Sequence, residues 1–86
     1  MIYEHARITI DPSNAEKFEK AIPAGREALL SAPGCCEVSF RRSIDRPGVF
    51  FLKVGWDSIA DHLEVFPTTP QAARLADAIA HFWSRE

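Results

Sequence analysis

The sequence predicts an α+β domain in which a small antiparallel sheet carries helices on one face, in the order β-α-β-β-α-α. Three observations predict it. Apolar residues alternate with polar ones over 2–10 and 35–44, and a dense apolar run covers 49–56. A stretch with the i, i+3, i+4 spacing of a surface helix separates the first two of these strands. The turn Asp45-Arg46-Pro47-Gly48 is so short that the strands on either side of it must form an antiparallel hairpin.

In the first strand, Ala6, Ile8 and Ile10 share one face and His5, Arg7 and Thr9 the other. Asp11-Pro12 ends it. Ser13 followed by Glu16 reads as a capping box that opens the first helix. The buried stripe of that helix is Phe18, Ala21, Ile22, Gly25, Leu29 and Ala32. Pro23 removes one backbone hydrogen bond, but the stripe stays in phase on both sides of it, which predicts one kinked helix. Ala32-Pro33-Gly34 stops the helix. The second strand then places Cys36, Val38, Phe40 and Ile44 on its inner face.

In the third strand, Phe50, Leu52, Val54 and Trp56 share one face, yet Val49 and Phe51 on the other are apolar too. A sheet with one wet side should not show this. The helices can cover one face only, so the sequence predicts a homodimer through the face carrying Val49 and Phe51. Ser58 and Asp61 form a second capping signal for a short helix over 58–66, which stops before Pro67. Thr69-Pro70 opens the last helix, whose stripe is Ala72, Leu75, Ala76, Ile79 and Phe82, with Trp83 at its edge.

The 86 residues form one domain, 1–86, small enough that a second subunit would help to complete its core. A net charge of -2 gives no electrostatic support to a nucleic-acid partner. The Arg41-Arg42 pair lies in a strand, where the two side chains point to opposite faces. No apolar run approaches the ~20 residues of a membrane helix and the N-terminus does not read as a signal peptide, so the expected compartment is the cytoplasm. Cys35 and Cys36 are adjacent, with Cα atoms about 3.8 Å apart, and read as free thiols. His5, His62 and His81 are too dispersed for a metal site. There is no Gly-rich phosphate loop, zinc spacing or haem-attachment motif, so neither a cofactor nor a metal is expected.

Several of these features together resemble one family. They are the Pro33-Gly34-Cys35 turn, the Arg-Arg strand, Trp56-x-Ser58-x-x-x-His62 and the Phe66-x-x-x-Pro70 step, spread over 2–83. In this order and spacing they are similar to the antibiotic biosynthesis monooxygenases. The resemblance implies a ferredoxin-like fold that pairs two sheets into a dimeric α/β barrel. In one respect the chain departs from the family, whose members usually continue into a fourth strand; here the sequence stops at Glu86, where that strand would begin.

The resemblance also implies an activity: oxidation of an electron-rich phenol or quinol by O2, without metal or flavin. It nominates Trp56 and His62 as catalytic. Trp56 would offer its N–H or its ring to a substrate, or else is a core residue that caps the sheet. With Leu63 as the core residue beside it, His62 would face the pocket. An imidazole titrates near neutrality, so His62 is the candidate base; the alternative is a packing or capping role. Leu52, Val54, Phe66, Phe82 and Phe18, together with Phe50 and Ile22, would form an apolar wall, or simply the core. Arg74 and Arg42 are candidate anion anchors or solvated charges, and Asp61 and Asp77 read as cap and surface charges. Other readings remain open. One is a haem-degrading enzyme, for which the asparagine expected on the first strand is missing. The others are an isomerase on the same barrel and a non-catalytic dimeric binding module.

Overall fold

The computed structural model describes residues 1–79 and Phe82. The predicted Trp83 edge of the last stripe and His81 lie outside the described residues. Strands β1 (Ile2–Thr9), β2 (Cys35–Arg42) and β3 (Val49–Trp56) form an antiparallel sheet in the order β1-β3-β2. Helix α1 (Ala15–Leu30) and helix α2 (Pro70–Ile79) cover one of its faces. The α+β class and the element order are as the sequence predicts. Among the described residues, no helix is long and apolar enough to cross a membrane.

The core lies between β3 and α1. Phe18, Phe50, Val54, Trp56 and Ile79 are at most 1% exposed, and burying each such side chain stabilises the fold by roughly 1.5–3 kcal/mol. The Phe18 ring meets Phe50 at 4.6 Å, Phe82 edge-on at 5.8 Å and Phe40 at 6.5 Å. α1 runs unbroken through Pro23, in agreement with the single helix predicted. Gly25 lets α2 approach α1 closely, since a Cβ there would lie 3.2 Å from the Ile79 side chain and 3.4 Å from that of Leu75.

Local expectations needed correction at six places. The box proposed from Ser13 and Glu16 does not form. Instead the Asp11 carboxylate accepts from the Ser13 N–H at 3.0 Å and from its hydroxyl at 2.8 Å. That winds Pro12–Asn14 into a 3-10 turn and delays α1 to Ala15. β2 ends at Arg42, and Ile44 is 97% exposed in the turn. A β-bulge between Cys35 and Glu37 reverses the expected alternation at the start of β2, so that Cys35 packs on the core and Cys36 is exposed. The short helix predicted over 58–66 is a wide turn, π-helical over Asp61–Val65 and then 3-10 over Phe66–Thr68, with Pro67 inside it. α2 leans on α1 through Leu75, Ala78 and Ile79, which leaves Ala76 exposed. Val49, expected to need a partner, is already buried within one protomer, where the Ile10–Pro12 turn folds back against Gly48.

Phe51 does remain 48% exposed on the open face of the sheet, as does Tyr3. That face is mixed rather than apolar. A concavity of about 500 Å³ there is lined by His5, Arg7, Glu37, Arg41, Phe51 and Lys53, among others.

Candidate functional site

Trp56 is the last residue of the central strand, paired with Ile2 on one side and Cys35 on the other. Its side chain therefore enters the helix-covered face with a strand on each flank. Glu4, two residues along β1 from Ile2, projects on the same face, in phase with Ala6 and Ile8. The chain then turns sharply. The Asp57 N–H donates to the Gly34 carbonyl at 2.8 Å, tying the turn after β3 to the one before β2. The Ser58 hydroxyl accepts from the Asp61 N–H at 3.2 Å and donates to the Asp61 carboxylate at 3.0 Å, so the predicted second cap is present. Asp61 lies directly on Gly34, whose φ of 77° and missing side chain make room for it.

From this cap the backbone enters the π-helical turn. A π-turn has more residues per turn than an α-helix, and such turns recur at functional sites. Here the turn swings the His62 ring flat over the Trp56 indole, with centroids 5.5 Å apart and planes 15° from parallel. Phe66 packs on the indole at 5.4 Å with its ring inclined at 58°. Leu63, the expected core residue, is 60% exposed, so it is His62 itself that covers the tryptophan.

One carboxylate oxygen ties the group together. Glu4 Oε1 accepts from Trp56 Nε1–H at 3.2 Å and lies 3.2 Å from His62 Nε2. Trp56 is wholly buried, while the His62 and Glu4 side chains are 28% and 26% exposed. The indole N–H, expected to be available to a substrate oxygen, is thus already engaged. Glu4 escaped the sequence reading. Its signal was a carboxylate in register with Ala6, Ile8 and Ile10 on the otherwise apolar side of β1.

The other nominated residues divide into groups. Phe66 joins Trp56, and Leu52 and Val54 floor the sheet beneath the helices, both buried. Phe82 and Phe50 both pack on Phe18, which centres a separate aromatic cluster. Phe50 lies six positions along β3 from Trp56, about 20 Å of strand. Arg74 donates to the Ser31 hydroxyl at 3.1 Å, at the end of α1. Arg42 pairs with Glu19 at 2.7 Å.

Two thiols border the site. Burial is the main cause pushing the Cys35 thiol up, and the nearby Glu4 charge adds to it. The exposed Cys36 thiol donates to the Asp57 carboxylate at 3.0 Å, and that bond is the main cause holding its pKa up. Among the described residues, no three His, Cys, Asp or Glu side chains are grouped as metal ligands.

The fold and site thus define a small α+β domain with a carboxylate, an imidazole and an indole joined at the end of the central strand. The family model for antibiotic biosynthesis monooxygenases matches residues 1–78, and the chain belongs to that family. Solved structures share its fold. One, from Bordetella bronchiseptica and assigned to these monooxygenases, superposes with a TM-score of 0.88 at 24% identity, over 96% of this chain and 85% of that one. Another so assigned, from Nitrosomonas europaea, gives 0.80 at 19% identity, over 100% and 90%. A conserved protein from Methanosarcina mazei gives 0.78 at 13%, over 98% and 82%. No functionally curated protein matches the chain.

Proposed function

We propose that the protein is a cofactor-independent monooxygenase of an electron-rich aromatic, a phenol or quinol with an oxidisable ring position. One observation carries this reading: a partly exposed imidazole, His62, held flat against a wholly buried indole with one nitrogen 3.2 Å from the Glu4 carboxylate. His62 takes the phenolic proton, and the resulting anion reduces O2. A carbon–oxygen bond forms, giving a hydroperoxide. Its O–O bond then breaks as the carbon loses its proton, leaving a quinone and one water. The substrate loses two hydrogens and gains one oxygen atom, so the equation balances with O2 as the sole oxidant. Trp56, Phe66, Leu52 and Val54 supply the apolar, water-poor surroundings in which a positioned base is effective. The proposal includes a homodimer through the open sheet face, where the exposed Phe51 and Tyr3 gain cover.

The test is aerobic oxygen uptake with a panel of polycyclic phenols and quinols. Wild type should exceed the uncatalysed rate, and His62→Ala should lose roughly 100-fold or more. Uptake at the uncatalysed rate, or uptake that survives a combined Trp56→Phe and His62→Ala change, would refute the oxidation.

The closed state of Trp56, with its N–H and its ring both engaged, favours a second reading as a binding module without turnover. Saturable binding of an aromatic ligand with no oxygen uptake would select that reading.

A further inference from the structure

We infer that Glu4 is a positioning residue that fixes His62 as its Nε2–H tautomer and leaves Nδ1 as the nitrogen that accepts the substrate proton. The inference deepens the monooxygenase reading and rests on it for the word substrate; the tautomer itself does not depend on it.

A glutamate on the core side of a strand loses hydration, and that loss is offset only by donors close at hand. At one oxygen Glu4 accepts from the Trp56 indole N–H at 3.2 Å, and His62 Nε2 lies 3.2 Å from the same oxygen. An indole nitrogen only ever donates. A bare nitrogen lone pair 3.2 Å from a carboxylate oxygen is repelled by it, whereas an N–H there is attracted, so the Glu4 charge favours the proton on His62 Nε2. A neutral imidazole has one N–H, and placing it at Nε2 makes Nδ1 the base. Among the described residues Nδ1 has no hydrogen-bond partner.

The stack with Trp56 restrains the ring plane, and the charge of Glu4 3.2 Å from Nε2 favours one edge of the ring toward it. The Glu4 carboxylate can also stabilise the imidazolium formed during proton transfer, as a carboxylate behind a catalytic histidine does elsewhere. A merely structural glutamate would need only to satisfy the indole N–H. Glutamine could do that as well, because its amide oxygen is still an acceptor.

The experiment compares wild type, Glu4→Gln and Glu4→Ala by imidazole ¹⁵N resonances at a pH where His62 is neutral, with kcat and KM measured on any substrate found in the oxygen-uptake panel. Amide dispersion checks that each variant is folded, and Glu4→Gln keeps the acceptor for Trp56 if Glu4→Ala does not fold. Wild type should show His62 protonated at Nε2. The preference for that tautomer should fall by about tenfold in Glu4→Ala, while Glu4→Gln, whose amide oxygen can still face Nε2, keeps part of it and loses only the charge. kcat should fall tenfold or more with KM changed little. A wild-type Nδ1–H tautomer, a preference unchanged in Glu4→Ala, or a kcat unchanged in Glu4→Gln would overturn the inference. If wild type turns over no aromatic substrate, the oxidation fails, while the resonances still decide the role of Glu4.

Discussion

The His62 imidazole lies on the Trp56 indole with 15° between their planes and 5.5 Å between their centroids, and both rings meet the same oxygen of Glu4. Packing and hydrogen bonding are therefore not separable at this end of the sheet. A change to any of the three side chains alters the surroundings of the other two.

Trp56 should be the most costly single truncation in the domain. Trp56→Ala empties a fully buried site and should cost about 3–5 kcal/mol. Trp56→Phe keeps much of the packing but removes the donor to Glu4, and should cost roughly 1–3 kcal/mol. Urea unfolding midpoints with an unchanged denaturant slope would check both.

Gly34→Ala should be damaging for its size. The position has φ of 77°, which costs a residue with a Cβ roughly 1–2 kcal/mol. The added methyl would also meet the Asp61 carboxyl. Displacing Asp61 undoes its cap with Ser58 and releases the turn that carries His62. A lowered urea midpoint together with shifted His62 ring resonances is the expected result; a lowered midpoint alone would show that the cap does not hold the imidazole.

The two thiols should alkylate slowly for different reasons. Thiolate is the reactive form, and both pKa values are raised, Cys35 chiefly by burial and Cys36 chiefly by its bond to Asp57. Asp57→Asn should therefore speed labelling of Cys36 while leaving Cys35 nearly unchanged, as mass spectrometry after iodoacetamide treatment would show. The sign for stability follows from the same direction. The folded state keeps its thiol protons longer than the unfolded chain. Nothing is lost below the ordinary thiol range, and stability declines as pH rises through it and up to the raised folded values.

How much was legible in the sequence follows the range of the forces involved. The strand β3, the alternation of β1 and the Thr69-Pro70 start of α2 are local patterns, and they appear where expected. Trp56 and His62 are nominated through a family resemblance, but their stacking was not legible, because the sequence reading gives Leu63 the core position that His62 fills. The bulge that reverses Cys35 and Cys36 was not legible either, because it depends on pairing with Gly55 and Trp56 across the sheet. Nor was the π-turn, whose shape depends on Asp61 seating against Gly34. Glu4 is 52 residues from Trp56, and only the β1–β3 register brings them together.

The open sheet face gives a prediction for assembly. Phe51 is half exposed beside Lys53, Arg7 and Arg41. Phe51→Asp should leave the protomer folded and shift the protein from dimer to monomer in light scattering at micromolar concentration. A wild type that is monomeric at every concentration would contradict the proposed pairing.

The central claim is that this site moves a proton and lets the substrate reduce O2 itself. Turnover under ¹⁸O2 tests it most directly. The account predicts one labelled oxygen in the quinone and the other in water, with both lost in His62→Ala. Product that draws its new oxygen from solvent, or labelling undiminished in His62→Ala, would contradict it.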